Sequence, residues 1–421
     1  MRQLRHGVFW PPFLLLILAV VASRLEPVGF LDTVKAANNW ILDHFSWLFN
    51  VGTLLMVLVC VWLLFAPIGR RRIGGAQATP IFTRWQWFAI ALCTTIATGI
   101  LFWGTAEPLY HLGQQPGFFS GDSPEAKAQF ALSTMFMHWS FTPYAIYAIP
   151  ALMFALAYYN RQQPFSLGAA LFPVLRQRAW LNNSVDAICL YALVAGMAAS
   201  LGDGTLSLTG GLNYLWEIEK GPWLIGLVCG LVVVAFVLSA LSGITKGIRI
   251  LSDINIRVFV VLCLFVLLAG PTLEMFQLGL GALGEYVQTF FPRSLYGGWA
   301  TEDPWPKSWT TFYWANWLAW APITALFLGR IAVGYTIREF MLFNWVFPAL
   351  FALVWMTVFS GSTLHLQLTG QADLSGLLQA EGPESVMYGL LAELPWTAVI
   401  VLGFLGTMFL SYVTAADSNT E

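Results

Sequence analysis

The sequence predicts an all-α protein that crosses a membrane many times. Of its 421 residues, 58% are hydrophobic and only 10% are charged, whereas soluble domains carry about 25% charged residues. Ten separate runs are apolar and close to the length of about 20 residues that a helix needs to cross a hydrocarbon core. The net charge of -2 provides no basic surface for nucleic acid, so that class of partner is excluded.

The ten predicted spans follow one another along the whole chain. They lie at residues 8–23, 45–67, 85–111, 128–159, 184–216, 222–243, 254–277, 309–333, 341–366 and 394–414. The third, fourth and fifth are longer than one crossing requires, so we expect them to be tilted or broken. Two segments between spans also have helical character. Segment 278–290 is predicted to lie on the outer membrane surface, and segment 334–340 is predicted to be a short cytoplasmic connector.

The N-terminal segment has two interpretations. Arg2 and Arg5 precede an apolar run, and residues 19–23 include small side chains, a pattern typical of a cleaved signal peptide. An uncleaved first helix is favoured because nine further spans follow it.

Lys and Arg are distributed unequally between alternate loops. With the N-terminus inside, the cytoplasmic segments contain 14 of the 20 Lys and Arg residues. Segment 367–393, on the opposite side, has no basic residue and carries four acidic ones. Because basic residues accumulate on the cytoplasmic side, the sequence predicts a cytoplasmic N-terminus.

The centre of the third span is rich in small and hydroxyl-bearing residues, and Pro108 follows further along. Small residues allow close helix packing, which is the structural interpretation. Thr, Gly and Pro together also favour a locally unwound helix whose carbonyl groups face a ligand or an ion. Nearby Glu107 is interpreted as a structural residue at a helix bend. His138 is interpreted as a buried hydrogen-bonding residue or as a pH sensor.

Two spans carry stripes of aromatic residues. The members are Trp139, Tyr144 and Tyr147 in the fourth span, and Trp314, Trp317 and Trp320 in the eighth. Such stripes more often belong to the core or face lipid. Ring faces can also hold a quaternary ammonium group, which has no N–H to donate, at about 0.5–2 kcal/mol per cation–π contact. Two stripes on two Pro-containing spans favour this second interpretation.

Asp203 lies in the middle of the fifth span. An ionised side chain within a bilayer is costly unless it faces a cavity or a partner, so we interpret this residue as functional. It is a candidate proton carrier, sodium ligand or counter-ion for a substrate. The structural alternative is a carboxylate that pairs with a neighbouring hydroxyl group or with Arg249.

Several motifs resemble those of the betaine/choline/carnitine transporter family. They are FWGTAEP (102–108), HWSFTPYAIY (138–147), KGIRILSDIN (246–255), FYWANWLAWAP (312–322), RIAVGYTIREF (330–340) and SYVTAADSNT (411–420). The resemblance extends from about residue 51 to the end. It implies a twelve-helix protein in which the third to twelfth helices form two inverted five-helix repeats of the leucine-transporter type.

The resemblance also implies a division of this chain, which carries ten of the twelve spans. Residues 1–84 form two N-terminal transmembrane helices, and residues 85–277 form the first five-helix repeat. Residues 278–308 form a periplasmic amphipathic helix and loop. Residues 309–421 form the second repeat, which is incomplete at its C-terminal end.

The family's aromatic substrate box, carried over by position, consists of the six rings of the two stripes. Tyr144 stands where betaine-type members often have Trp, and Asn316 interrupts a Trp-Trp pair. The coupling-ion candidates are the backbone near Ala97, Asp203, the hydroxyl group of Thr414, and Arg249, whose charge replaces sodium in a sodium-independent relative. Because Ala415 removes one hydroxyl group of the family's pair, the case for sodium is weakened.

The sequence therefore predicts a secondary active transporter of the bacterial inner membrane. By alternating access it takes up or exchanges glycine betaine, choline, carnitine or a similar quaternary-ammonium solute. The alternative is a transporter of another zwitterionic or sulfonium osmolyte, coupled to protons or to exchange rather than to sodium. No cofactor or metal site is assigned apart from sodium as a possible coupling ion, and family members commonly form trimers.

Two other classes are less well supported by the sequence. An enzyme would need paired carboxylates, a His cluster or a nucleophile with its base, whereas the five His residues are scattered. An ion or gas channel would lack saturable exchange, and an aromatic box is a poor conduction path.

Overall fold

The computed structural model describes residues 5–96, 99–175, 178–242 and 247–420, and these residues contain nineteen α-helices and no strand. The first nine helices are α1 His6–Leu25, α2 Pro27–Phe65, α3 Arg84–Ile96, α4 Gly99–Gly113, α5 Pro124–Trp139, α6 Phe141–Ala155, α7 Leu167–Ala170, α8 Phe172–Leu175 and α9 Ala179–Trp216. The other ten are α10 Pro222–Ser242, α11 Gly247–Ala269, α12 Thr272–Leu295, α13 Trp305–Ser308, α14 Thr310–Arg330, α15 Ile337–Met341, α16 Phe347–Thr369, α17 Leu374–Glu381, α18 Pro383–Ala392 and α19 Thr397–Thr420. Single π-helical turns, Leu156–Asn160 and Leu342–Val346, follow α6 and α15.

The chain forms two compact units, each assembled from separate segments. The first unit consists of Met1–Ile81, Ala145–Ala198 and Ser294–Trp345. The second unit consists of Phe82–Tyr144, Ala199–Arg293 and Val346–Glu421. Each unit therefore depends on contacts between residues that are far apart in the sequence.

Eight helical segments in the described part of the chain are long and apolar enough to span a membrane, and α3 with α4 would make a ninth. The sequence predicts ten spans. The predicted span that is not among these nine is the eighth, which corresponds to α14. Its 21 residues have a length of about 32 Å at about 1.5 Å per residue. Its Trp, Tyr and Asn side chains lower its mean hydropathy, although its length matches a crossing. An all-α protein with many membrane spans is confirmed.

Several helix boundaries differ from the predicted spans. Helix α2 begins at Pro27 and contains 39 residues, although residues 27–44 lie in a predicted loop. Helix α11 ends at Ala269, eight residues before the predicted end, because Gly270 and Pro271 interrupt the helix. Pro lacks a backbone N–H and cannot continue a helix at that point. The surface helix predicted at 278–290 is the central part of the longer helix α12.

In the first unit, partly buried polar contacts satisfy the ends of helices. Arg338 donates from Nε to the carbonyl oxygen of Leu64 at 2.6 Å, near the end of α2. A cation at this position also stabilises the negative end of the helix dipole. Thr336 and Glu339 form a capping box that begins α15, each side chain bonded to the other residue's backbone N–H. The predicted connector at 334–340 is therefore an ordered turn and helix start.

The second unit contains two interruptions in its long helical segments. Helices α3 and α4 are bent by 52° relative to each other. Helix α3 ends at Ile96, and α4 begins at Gly99 and continues through Pro108 to Gly113, so the helix is not interrupted at the proline. Ser140 separates α5 from α6 with φ -114° and ψ -116°, values that no regular helix has.

Helix α12 packs against α5 through a buried cation. Arg293 donates to the hydroxyl oxygens of Ser133 at 2.6 Å and Thr134 at 2.5 Å. Its guanidinium carbon lies 4.8 Å from the centre of the Phe130 ring. Burial lowers the pKa of Arg293 to about 10, and the nearby carboxylate of Glu285 opposes this effect. The cation is therefore retained at neutral pH.

Candidate functional site

In the second unit, the indole ring of Trp139 is hydrogen-bonded to helix α4 at one end and lies beside Gly99 of the same helix at the other. Its Nε1 donates a hydrogen bond of 2.7 Å to Oε2 of Glu107. At the far end of the ring, Cη2 and Cζ3 lie 3.0 and 3.3 Å from the position that a Cβ atom on residue 99 would occupy. Gly99 therefore provides the space for the ring, and Glu107 fixes its polar edge.

The other carboxylate oxygen of Glu107 binds two imidazole rings. Oε1 lies 3.0 Å from Nε2 of His111 and 2.7 Å from Nδ1 of His138. All three side chains are fully buried. His111 lies one turn after Glu107 on α4, and His138 comes from α5, directly before Trp139. The hydrogen-bonding interpretation of His138 is the one that the structure shows, and Glu107 joins α4 to α5 within the core.

The same three residues have the donor types of a metal site. One ligand atom from each of Glu107, His111 and His138 lies within 4.8 Å of the other two. A transition metal requires bonds of about 2.0–2.2 Å to such atoms. Oε1 of Glu107 is hydrogen-bonded to both imidazole rings in the structure, so a metal bound at this oxygen would have to replace both contacts.

In the first unit, Tyr147 and Trp317 form an aromatic pair. Their ring centres are 5.3 Å apart and their planes are inclined by 70°, an edge-to-face arrangement that aromatic rings favour. Trp314 is fully buried on the same helix as Trp317. Trp320, one turn later, packs its ring 3.0 Å from the position of a Cβ on Gly196 in α9. The structure thus brings Tyr147 and Trp317 together.

Trp139 and Tyr144 of the predicted box belong to the second unit, and both are almost completely buried. Ser140, whose backbone is not helical, lies between Trp139 and the other two rings of this stripe. The role of the six rings in binding stays a prediction.

The sequence argument missed the contact between Glu107 and Trp139, which are 32 residues apart. A signal was nevertheless present. A carboxylate within an apolar span requires partners, and His138 and Trp139 are adjacent residues with ring N–H groups that can donate to it.

The coupling-ion candidates have different surroundings. Ala97 lies outside the described residues. Thr414 is fully buried and donates its hydroxyl proton to the carbonyl oxygen of Leu410 at 2.7 Å, and its oxygen retains acceptor capacity. Asp203 is partly buried in α9 and forms no ion pair or hydrogen bond among the described residues, whereas Arg249 is exposed. The suggested pairing of Asp203 with Arg249 is therefore absent from that part of the chain.

These features define a class of protein: a membrane protein with many helical spans, interrupted helical segments, and buried aromatic and charged side chains. The family model for betaine/carnitine/choline transporters matches residues 7–421. The chain belongs to this family, and it is a transporter and not an enzyme.

Characterised relatives are similar over nearly the whole chain. A glycine betaine transporter, OpuD, of Bacillus subtilis is 32% identical over 99% of this chain and 82% of its own length. A glycine betaine/proline/choline/ectoine transporter of Vibrio parahaemolyticus is 32% identical over 94% of this chain and 71% of its own length. An osmo-dependent choline transporter, BetT2, of Acinetobacter baylyi is 31% identical over 96% of this chain and 59% of its own length.

Proposed function

We propose that this protein is a secondary active transporter that takes up or exchanges a quaternary-ammonium solute, such as glycine betaine, choline or carnitine, by alternating access. The family supports transport, and the names of the relatives support this substrate class. The observation that carries the proposal is the edge-to-face pair of Tyr147 and Trp317, because it presents ring surface from two predicted box positions.

The substrate is held by the faces of the six predicted rings: Trp139, Tyr144, Tyr147, Trp314, Trp317 and Trp320. A methylated nitrogen offers no hydrogen-bond donor, so ring faces are its natural partners. Each desolvated cation–π contact contributes about 0.5–2 kcal/mol. Several such contacts give reversible binding, which a transporter requires because it must release its substrate.

The protein lies in the bacterial inner membrane with its N-terminus in the cytoplasm and carries leucine-transporter-type inverted repeats. Asp203 is the first candidate for the coupling group, since a partly buried carboxylate within a span can bind a proton or a sodium ion. The hydroxyl group of Thr414 is a second candidate for a sodium ligand. A homotrimer is the expected assembly.

A second substrate class is another zwitterionic or sulfonium osmolyte, with proton coupling or exchange. Tyr144 supports this alternative because a Trp is frequent at this position in betaine-type members. The name of the Vibrio relative includes proline and ectoine, so solutes without a trimethylated nitrogen belong in the same assay.

Uptake into proteoliposomes tests the proposal directly. Radiolabelled glycine betaine, choline and carnitine are supplied while sodium and pH gradients are varied separately. Trp317→Leu should reduce uptake, whereas Trp47→Leu, an exposed residue of α2 in the same unit, serves as the matched control. Saturable uptake of at least one solute is expected. Absence of both binding and uptake of all three solutes would refute the substrate class.

A further inference from the structure

We propose that Glu107 is a specificity-determining positioning residue, which makes the Trp139 ring a stronger site for a cation than an isolated indole. This inference rests on the proposed function, because it assigns Trp139 to the substrate site. The carboxylate acts through the indole and not by direct contact with the substrate. It fixes the ring and increases the negative potential of its faces.

The first argument is geometric. Gly99 and Glu107 lie eight residues apart on α4, which separates them by about 12 Å along the helix axis. The indole ring extends between them, with Nε1 hydrogen-bonded to Glu107 and its opposite edge against Gly99. The hydrogen bond therefore limits movement of the ring away from Glu107, and the absence of a side chain at Gly99 provides the space that the opposite edge occupies. A ring held in this way is preorganised, so a ligand does not lose binding free energy in ordering it.

The second argument concerns the charge of Glu107. Its two oxygens are surrounded by the ring nitrogens of His111, His138 and Trp139, at 3.0, 2.7 and 2.7 Å. The indole nitrogen can only donate, and each neutral imidazole can donate from one nitrogen. Three N–H donors around one carboxyl group favour the carboxylate, which only accepts. The 2.7 Å contact to Trp139 has the length of a charge-assisted hydrogen bond.

The third argument links this charge to the ligand. Donation of the N–H to an anion moves electron density into the indole ring, and in a buried site such polarisation is poorly screened. The attraction between a ring face and a cation depends on that negative potential. A neutral molecule of the same shape gains nothing from it. Glu107 should therefore increase the preference of the site for a charged ligand over its uncharged isostere.

The test compares choline with 3,3-dimethylbutan-1-ol, in which carbon replaces the quaternary nitrogen. Binding to the purified full chain in detergent is measured by isothermal titration calorimetry. Glu107→Gln retains the size of the side chain and an oxygen that accepts from Trp139 but removes the charge. We expect choline affinity to fall at least tenfold and isostere affinity to change less than twofold. Glu285→Gln removes a carboxylate of α12 in the same unit and should leave both affinities unchanged.

A double-mutant cycle with Trp139→Phe tests whether the effect passes through the indole. Phe retains an aromatic face but has no N–H, so Glu107→Gln should have less than a twofold additional effect in that background. Ultraviolet resonance Raman spectra should also show that Glu107→Gln shifts the indole band sensitive to N–H hydrogen bonding. A purely structural role would reduce the affinities for choline and the isostere equally.

The inference is overturned if Glu107→Gln weakens both ligands by the same factor, or if its effect persists in the Trp139→Phe background. If Glu107→Gln does not fold, Trp139→Phe alone decides: a ratio of choline to isostere affinity equal to that of the wild-type protein overturns the inference. These failures differ from failure of the proposed function. In that case the wild-type protein itself would bind no choline, glycine betaine or carnitine.

Discussion

The space beside Gly99 makes Gly99→Ala a sensitive test of the Trp139 position. An added Cβ would lie 3.0 Å from Cη2 of Trp139, whereas carbon atoms pack optimally at about 3.5–4.0 Å. The ring would have to move by about 0.5 Å to restore normal contact. Its opposite edge is held by the 2.7 Å hydrogen bond to Glu107, so this movement must strain that bond or rotate the ring.

The expected effects on stability and on binding differ. Overpacking costs about 1–3 kcal/mol. Because Gly99 is the first residue of α4, replacing it by Ala gains less than the value of about 1 kcal/mol that applies in a helix interior. The net change in the free energy of unfolding is then a loss of about 0–3 kcal/mol. Displacement of the Trp139 ring also weakens substrate binding, and the gain in helix stability does not offset that loss of affinity. We expect affinity for glycine betaine to fall about five- to thirtyfold, which corresponds to about 1–2 kcal/mol.

Titration calorimetry and thermal unfolding in the same detergent measure the two quantities. Gly113→Ala is the matched control, since Gly113 lies at the end of the same helix and a Cβ there would have nothing within 4 Å. It should bind glycine betaine as the wild-type protein does. Equal affinities for Gly99→Ala, Gly113→Ala and the wild-type protein would refute the placement of Trp139 in the substrate site.

Three further predictions follow from other residues. Asp203→Asn should abolish uptake or uncouple it from its ion, since an amide cannot bind and release a proton as a carboxylate does. Normal uptake with unchanged pH and sodium dependence would contradict this. Trp317→Ala should lower glycine betaine affinity by the value of one cation–π contact, about 0.5–2 kcal/mol, and an unchanged calorimetric titration would remove Trp317 from the site. Burial raises the pKa of Glu285 in the folded protein, so its contribution to stability is complete below the ordinary glutamate pKa and is lost as the pH rises through the raised value. As the pH rises above about 4.3, the melting temperature of Glu285→Gln should therefore decrease less than that of the wild-type protein. Identical pH profiles of the two proteins would refute the raised pKa of Glu285.

The amino-acid pattern predicts the class of fold well because the bilayer imposes a strong rule. Backbone groups in hydrocarbon must bond internally, so apolar runs of sufficient length become helices. Boundaries are less predictable. Helix α2 extends to Pro27, through polar residues that resemble a loop, because helix formation depends on local bonds as well as on hydropathy. Helix α14 is recognisable from the chain even though its aromatic residues reduce its apolar character.

The candidate site is predictable in composition and not in geometry. The spacing of Trp314 and Trp317 follows from one continuous helix, so their common position on α14 can be deduced. Ser140 has a non-helical backbone between Trp139 and Tyr147, and no local pattern in the sequence marks that position. The partners of Glu107 depend on the packing of α4 against α5, which no local pattern encodes.

The cost of burying Glu107 bears on its function. Burial of a charge removes its favourable hydration free energy, which hydrogen bonds and ion pairs must replace. Replacing a buried polar network by apolar residues is therefore often neutral or stabilising. One indole and two imidazole nitrogens lie within hydrogen-bond distance of this carboxylate, and such a network need not stabilise the fold more than a hydrophobic core would. Two of these donors, His111 and His138, hold Oε1 and leave Oε2 directed at Trp139. Helix packing alone does not require this arrangement, because a smaller apolar side chain at position 107 would suffice for it. The contact between one carboxylate oxygen and the indole nitrogen, with two histidines bound to the other oxygen, is better explained by its effect on the electronic state of the indole ring.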